Sequence, residues 1–435
     1  MVGKAAIHNA FLTLGVVAGY PHGIISRKLQ NPLHRKIFHL ICGLALCYAL
    51  YGPSFLIVFF GDLIVYLTLY LPNPFILVGA LIPIAEIFYI HYTRLNTIGD
   101  WTSDLSGLIM FSALRLIMTT FNVFDGRKEQ KREIWKKMAL SSPPPIFDFI
   151  VYLFSYSGLY SGPIIPFSAF KEIIEMKSTP EEVSNDIKAG LKPFLHSLIN
   201  GFLYGICLKA FPTKMILEDK FYEHPYYLQV VIAILYSYFH TSRYRFAWLG
   251  GEAALASQGA QRVKTYDTQY CRSFRPEFYY TQRQLGGLVN EWNHSVHFFL
   301  KEFVHVRVLS IGGSNTVAKF CTYMFSAFWH GFYPGYYVYA MVVFANAFVD
   351  SIRFKLFSPL LEMTVGTKVA TVIDCVYTQS MNLYQGAGWD LLWLSPYFYF
   401  LKRTKFGPFL LEFALIFVGF LFRFLSPKKK IEKKD

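Results

Sequence analysis

Long apolar runs separated by short polar stretches follow one another along almost the whole chain. Of its 435 residues, 54% are apolar and only 16% are charged, against about 25% charged in an ordinary soluble protein. A chain of this composition could not cover a soluble surface, whereas a helix of roughly 17–25 apolar residues crosses a bilayer. We therefore predict membrane helices, some of them partial, over residues 5–20, 37–51, 54–71, 75–92, 103–122, 146–160, 193–211, 226–240, 244–257, 317–333, 335–350, 368–382, 388–401 and 408–424.

Basic residues cluster in the polar stretches between these runs. The chain has 42 Lys and Arg against 28 Asp and Glu, a net charge of +14. Cytosolic loops of membrane proteins are enriched in Lys and Arg, so we expect the basic segments 127–137 and 423–434 to face the cytosol, and we expect no nucleic-acid partner. The acidic loop around Glu218 could face the other side. We predict one integral-membrane domain over residues 1–424 and a basic cytosolic tail over residues 425–435.

Two further patterns bear on possible ligands. The basic stretch 262–283 alternates arginines with tyrosines and phenylalanines, which suits either an interfacial loop or contact with a polyphosphate. The six cysteines show no CxxC pairing and most lie within apolar runs. The sequence therefore predicts neither a disulfide scaffold nor a zinc site.

Polar side chains enter apolar sequence at two places. In residues 289–301, helical spacing puts Asn293, His297 and Lys301 along one side. In residues 320–337, His330 interrupts a long aromatic run. A single histidine in such a run is often a hydrogen-bonded core residue, but an ionisable group at bilayer depth is costly and marks a functional site by default. Both readings of His330 stay open on these grounds alone.

The same residues resemble a known family signature. Trp292-Asn293, followed by the run AFWHGFYPGYY over Ala327–Tyr337, is similar to the paired signature of the membrane-bound O-acyltransferase (MBOAT) family, in its lysophospholipid acyltransferase branch. Tyr156–Pro163 resembles the Gly-Pro element of that family, and the resemblance extends from residue 90 or so to the tail. It implies an all-α, polytopic transmembrane helical bundle of MBOAT type, with about ten or eleven spanning helices plus short partial helices.

The resemblance also implies chemical roles. His330 takes the position of the catalytic histidine and Asn293 that of the conserved asparagine, in an enzyme that moves an acyl group from acyl-CoA to the sn-2 hydroxyl of a lysophospholipid. Elementary chemistry agrees, because an alcohol needs a base and histidine titrates nearest neutrality. An apolar surround favours the neutral imidazole, and a neutral amide such as Asn293 could donate to the developing oxyanion.

Substrate contacts are expected from the signature and from nearby cations. Leu217–Tyr222 and Phe239–Trp248, with Glu252, look most like lysophosphatidylinositol acyltransferases. An anionic inositol headgroup calls for cations near the interface. Arg243 and Arg245 are two residues apart, so on a helix only one would face the site. The residues predicted to bind substrate are Trp292, Trp329, Tyr336, Tyr337, Arg243, Arg245, Arg275 and Arg283.

Other interpretations remain at this point. His294, His297 and His305 could suggest metal ligands, but no carboxylate or thiolate accompanies them, so we predict no metal and no bound cofactor, with acyl-CoA as co-substrate. Another lysolipid headgroup (choline, ethanolamine or serine) is the alternative acceptor. Asp62, Glu86 and Arg115 could mark a transport path or be paired inside the bundle, and no inverted repeat supports a transporter. Membrane lipids are the expected surroundings, in the endoplasmic reticulum if the source is a eukaryote.

Overall fold

The computed structural model describes residues 4–95, 105–130, 132–159 and 161–425, with side chains from residue 8 onward. The predicted all-α class is confirmed, since these residues form helices and no strand. The predicted basic tail, apart from residue 425, lies outside the described residues. The helices are α1 (Lys4–Val17), α2 (Gly19–Lys28), α3 (Pro32–Tyr51), α4 (Phe55–Thr68), α5 (Val78–Arg94), α6 (Ser106–Gly126), α7 (Glu133–Met138), α8 (Ile146–Phe154), α9 (Phe167–Glu175), α10 (Pro180–Ala210), α11 (Asp219–Tyr222), α12 (Tyr226–His240), α13 (Ser242–Ala256), α14 (Pro276–Tyr279), α15 (Leu285–Glu291), α16 (His294–Phe299), α17 (Val306–Ser310), α18 (Asn315–His330), α19 (Pro334–Val365), α20 (Thr367–Leu391), α21 (Leu394–Arg403) and α22 (Gly407–Leu425).

Within those ranges, four helical segments are long and apolar enough to cross a membrane: Pro32–Thr68, Phe75–Arg94, Ser106–Gly126 and Gly407–Leu425. Their burial by protein differs widely, from 78% of the apolar window in Ser106–Gly126 to 11% in Gly407–Leu425. Exposed apolar helix surface of this kind is stable only in an apolar solvent. The predicted total of ten or eleven spanning helices stays a prediction.

Helix boundaries agree with the turn residues in some places and differ in others. The break expected at Gly52-Pro53 is present, and Gly52 has a positive φ of 55° that suits glycine. The apolar runs 335–350 and 368–382, in contrast, lie in longer helices: α19 has 32 residues and α20 has 25. Buried polar residues such as Asp350, Arg353 and Asp374 continue these helices, so hydropathy alone ends the predicted runs too early.

The chain divides into two compact units. Unit 1 comprises residues 1–205, 241–274 and 293–332. Helix α6 is buried along most of its length there, and its Leu114 and Met118 are fully enclosed. Two of the three charged residues that the sequence places in apolar runs make hydrogen bonds to neutral groups inside this unit. Asp62 accepts a hydrogen bond from Ser112 Oγ at 2.8 Å, and Arg115 donates to backbone carbonyls, one of them Tyr152 O at 2.9 Å.

Unit 2 comprises residues 206–240, 275–292 and 333–435. Its helix α19 packs closely against α22, because a Cβ atom on Gly419 would lie only 2.7 Å from the carbonyl carbon of Leu356. Five charged side chains form a set of ion pairs that we call the arginine network: Arg283, Arg353, Asp350, Glu362 and Asp374.

Candidate active site

Asn293 and His330 flank a helical hairpin in unit 1. The first arm runs from α16 through a π-helical turn at Leu300–His305 into α17, and the second arm is α18. The connection is explained by its residues. Gly312 adopts a left-handed φ of 91° after α17, and Ser314 caps α18 by accepting a hydrogen bond from the amide of Val317 at 3.2 Å. We call residues 293–330 the catalytic hairpin, because they begin and end with the two residues that the family resemblance predicts to be catalytic.

Two contacts define the antiparallel register of the catalytic hairpin. Next to the turn, His305 Nε2 lies 3.2 Å from Asn315 Oδ1. Further along, the rings of Phe299 and Phe325 are 6.1 Å apart. Extending the same register brings Asn293, at the start of the first arm, to the end of the hairpin where the second arm terminates in His330. Two residues that are 37 positions apart in sequence therefore share one end of a single supersecondary unit.

The backbone of Asn293 is in the left-handed region, with φ 47° and ψ 57°. Asparagine tolerates this conformation better than most residues. The carbonyl of Asn293 accepts the first helical bond from the amide of His297 at 2.9 Å, and the amide of His294 donates to Ser273 O at 2.7 Å. These two hydrogen bonds hold the backbone of Asn293 at the N-cap position of α16.

The Gly-Pro element packs beside this cap. Ile164, which directly follows Pro163, donates its amide to Ser295 Oγ at 3.2 Å. Asn293 is 8% exposed and Ser295 is fully buried. The sequence Asn-His-Ser at residues 293–295 matches the N-x-Ser glycosylation motif, but it is inaccessible in the folded chain. The structure therefore brings the Tyr156–Pro163 element and the asparagine of the signature into one part of unit 1.

His330 is the last residue of α18. The chain leaves the helix at Gly331, whose φ is 142°, a value that favours glycine. Trp329 is buried, its ring lies edge-on to Phe111 at 5.6 Å, and its indole N–H donates to Met110 O at 2.8 Å. The imidazole of His330 is half-buried and lies 4.5 Å from the indole ring, centroid to centroid. Trp329 therefore has the contacts of an anchor for the helix end, whereas His330 keeps some exposed surface.

The remaining predicted site residues are distributed over the two units. In unit 1 the structure places Asn293, Trp329, His330, Arg243 and Arg245, and in unit 2 it places Trp292, Tyr336, Tyr337, Arg275 and Arg283. Inside unit 2, Tyr336 packs on Trp389 at 4.4 Å and Trp292 lies 5.8 Å from Tyr279. Aromatic contacts of this kind are frequent in any helical core, and the substrate role of these rings stays a prediction.

The two unit 2 arginines predicted to bind substrate, Arg275 and Arg283, both form ion pairs with carboxylates. Arg275 binds Glu291 through two hydrogen bonds of 2.7 and 2.6 Å. Arg283 binds Glu362 at 2.7 Å and Asp374 at 2.8 Å. Burial lowers the pKa of Arg283, but its bonds to the two carboxylates outweigh that effect and raise the pKa overall. An arginine engaged in this way has less to offer an anionic substrate.

Arg243 and Arg245 point in different directions, as their spacing on α13 predicts. Arg245 is only 2% exposed and donates to Asn200 Oδ1 at 2.8 Å and to the hydroxyls of Thr241 and Ser242 at 2.9 Å. Arg243 is half-exposed, and its guanidinium lies 4.7 Å from the ring of Tyr244. Arg245 is therefore the inward-facing cation, and these three hydrogen bonds go to neutral oxygens.

One buried histidine near His330 received no role from the sequence. His91 lies on α5, in the predicted apolar run 75–92, and its Nε2 is 3.0 Å from Trp329 O. The hydropathy of this run is that of an ordinary membrane span, and His91 lies close to its polar end at Thr93-Arg94. Hydropathy therefore gives no reason to single out this residue. Among the residues with described side chains, no group of three or more His, Cys, Asp or Glu is placed to hold a metal ion.

Comparison with known proteins identifies relatives. A sequence model of the membrane-bound O-acyltransferase family matches residues 97–387. Lysophospholipid acyltransferase 6 of Drosophila melanogaster is 24% identical over 345 residues, 72% of this chain and 46% of that protein. Lysophospholipid acyltransferase 5 of the same organism is 24% identical over 344 residues, 75% of this chain and 68% of that protein.

A third relative carries an inositol-specific name. Membrane-bound acylglycerophosphatidylinositol O-acyltransferase mboat7 of Danio rerio is 22% identical over 241 residues, which is 46% of this chain and 47% of that protein. The chain thus spans about half the length of two of these three relatives.

Proposed function

This chain belongs to the membrane-bound O-acyltransferase family, and on that premise we propose that it moves an acyl chain from acyl-CoA to the sn-2 hydroxyl of a lysophospholipid. The names of the relatives support the reaction class. The observation that carries the proposal is the register of the catalytic hairpin, which brings Asn293 and His330 to the same end of one structural unit.

The proposed chemistry starts from two neutral side chains, the imidazole of His330 and the amide of Asn293. The imidazole of His330 accepts the proton of the acceptor hydroxyl as the hydroxyl oxygen bonds to the thioester carbonyl carbon. Negative charge develops on the carbonyl oxygen, where the amide of Asn293 donates a hydrogen bond. The carbon–sulfur bond then breaks, sulfur leaves with the electron pair, and the imidazolium returns the proton to it. One thioester is consumed and one ester is formed.

For the acceptor we propose lysophosphatidylinositol. The likeness of Leu217–Tyr222 and Phe239–Trp248 to inositol-specific enzymes supports this choice, and so does the name of the Danio rerio relative. Arg245 adds a physical reason, because it is the inward-facing cation of α13 and a guanidinium group attracts an anionic headgroup. The alternative acceptors carry choline, ethanolamine or serine headgroups.

The chain's family and its exposed apolar helices make it an integral membrane protein. We propose the endoplasmic reticulum as its location in a eukaryotic cell, with acyl-CoA delivered from the cytosol. The co-substrate is then an amphiphile from the aqueous side and the acceptor is a lipid from the bilayer. The two meet at the end of the catalytic hairpin that carries Asn293 and His330.

The test is an acceptor panel with purified full-length protein in lipid nanodiscs and no ion gradient. Release of free CoA thiol is followed with oleoyl-CoA or arachidonoyl-CoA and with lysophosphatidyl-inositol, -choline, -ethanolamine or -serine, and mass spectrometry locates the new ester. We expect lysolipid-dependent thiol release that is fastest with the inositol lipid. No transfer to any lysolipid contradicts the proposed activity, whereas a faster rate with another headgroup contradicts only the choice of acceptor.

A further inference from the structure

His91 connects helix α5 to the last turn of α18. Its Nε2 lies 3.0 Å from the carbonyl oxygen of Trp329, and the side chain is only 2% exposed. A carbonyl oxygen can only accept a hydrogen bond, so Nε2 carries a proton and is the donor. The acceptor belongs to the residue that immediately precedes His330.

The end of α18 needs such a donor. The last carbonyls of a helix have no amide one turn further on to bond with. The amide of Gly331 bonds to Ala327 O at 3.1 Å, but the chain then leaves the helix with φ 142° at Gly331. The carbonyl of Trp329 is bonded instead by His91, from another helix. A buried carbonyl left without a donor is destabilising, and loss of the donor would favour a different conformation of this turn.

Further contacts fix the same segment. The rings of His91 and Phe332 are 5.9 Å apart, and Phe88, one turn earlier on α5, lies 5.0 Å from Phe332. His91 is also close enough to His330 to interact with it electrostatically. The backbone on both sides of His330 is therefore held against one face of α5, while the imidazole of His330 is half-buried.

We propose that His91 is a positioning residue for acyl transfer: its hydrogen bond to the Trp329 carbonyl orients the His330 imidazole toward the acceptor hydroxyl. This inference rests on the proposed function of His330 as base. His91 precedes residues 97–387, which the family model matches. An error of about 1 Å in the placement of a reacting group can cost roughly 10²-fold in rate.

The first test compares His91→Leu with His91→Gln in the full-length protein. Leucine fills the space without a donor, and the amide of glutamine can still donate to the carbonyl. Tyr89→Leu is the matched control, because Tyr89 lies on the same helix and is 68% exposed. We expect His91→Leu to lower kcat about 10- to 100-fold with the KM for acyl-CoA unchanged, His91→Gln to recover most of the loss, and Tyr89→Leu to match the wild type. Rates are expressed per folded molecule, measured by the monodisperse fraction.

A second measurement needs no turnover. Diethyl pyrocarbonate modifies accessible neutral imidazoles, and mass spectrometry of the peptide that contains His330 gives its rate of modification. We expect His91→Leu to change that rate by severalfold and His91→Gln to leave it near the wild-type value. This readout reports the placement of His330 even if none of the lysolipids tested is an acceptor.

The outcomes separate the two proposals. An inactive wild-type protein whose His330 reactivity changes in His91→Leu contradicts the proposed function and supports the positioning role. An active His91→Leu variant with wild-type kcat, or equal losses in His91→Leu and in well-folded His91→Gln, overturns the positioning role and leaves the function standing. A loss confined to the amount of folded protein also overturns it, since His91 would then serve stability alone.

Discussion

The open end of the catalytic hairpin and the arginine network treat polar groups in opposite ways. Asn293 and His330 carry no fixed charge, whereas the charged residues of the hairpin lie toward its turn, where Glu302 pairs with Arg132 and Arg307 with Asp125. In the arginine network, two guanidinium groups meet three carboxylates at distances of 2.7–2.9 Å.

Fixed ion pairs and neutral polar groups are suited to different tasks. Fixed opposite charges at contact distance satisfy one another, so they hold helices in place and leave little attraction for a ligand. Neutral donors and acceptors can be buried at lower cost and can respond to charge that develops during a reaction. The comparison predicts that substitutions in the hairpin end change turnover, whereas substitutions in the arginine network change stability.

The largest effect is expected for His330→Ala, which removes the proposed base and little packing volume. Loss of a general base costs about 10²–10⁴-fold in rate. His305→Ala is the matched control, because His305 lies at the other end of the same hairpin and is half-buried. Turnover of both variants is measured with acyl-CoA and lysolipid, together with thermal stability. A His330→Ala enzyme that retained more than about a tenth of wild-type turnover would not have lost its base.

In the arginine network, Arg353→Met should lower the stability of the fold. It removes the partner of Asp350 and Asp374, both nearly fully buried, and breaking a buried pair in this way costs about 3–5 kcal/mol in the free energy of unfolding. Denaturant unfolding in detergent micelles measures the loss, with Lys355→Met as the exposed control on the same helix. Unchanged stability combined with lost turnover per folded molecule would place the network in the chemistry instead.

Asn293→Ala sharpens the assignment at the hairpin end. Removing one oxyanion donor costs roughly 10²–10³-fold in kcat, and alanine adds strain in the left-handed backbone of about 1–2 kcal/mol. Asn293→Gly separates the two effects, because glycine lacks the amide but accepts the conformation. We expect both variants to lose turnover and only the alanine variant to lose stability. A raised KM for acyl-CoA with unchanged kcat would assign Asn293 to binding.

The smallest effect is expected in acceptor choice. Arg245→Gln should lower the rate with lysophosphatidylinositol about tenfold more than the rate with lysophosphatidylcholine, because a hydrogen bond to a charged group is worth about 1.5–3 kcal/mol. Arg243→Gln, at the half-exposed neighbour, should leave the ratio of the two rates unchanged. Both acceptors are compared at one acyl-CoA concentration. Equal losses for the two lipids in Arg245→Gln would assign this arginine to folding.

Local features of the fold could be predicted from the sequence, and long-range contacts could not. Gly52-Pro53 predicts a helix break because backbone conformation there depends on the residues themselves. The all-α class likewise follows from the length and spacing of the apolar runs. The 32-residue length of α19 is not predicted, since Asp350 and Arg353 interrupt its hydropathy. The two residues pair with each other, and Arg353 also pairs with Asp374, 21 positions away on another helix.

In the candidate site, too, the sequence identifies individual residues but does not predict the long-range contacts between them. Asn293 and His330 could be named because the surrounding signature resembles a family, but their sharing one end of a hairpin depends on the π-helical turn and on pairs such as Phe299 and Phe325. His91 could not be found from the sequence. Its significance comes from a single hydrogen bond to a backbone carbonyl 238 positions away, and no local pattern encodes such a contact.

The thin protein cover of α22 bears on how the reaction has to be measured. Only 11% of its apolar window is buried by protein, with Phe413, Phe417 and Phe424 among its exposed side chains, so lipid tails complete its packing. The acceptor proposed for this enzyme is a member of the same lipid population that solvates it. Its effective concentration is then a mole fraction within the bilayer, and diluting the membranes in buffer at a fixed acyl-CoA concentration should leave the reaction rate per enzyme molecule unchanged.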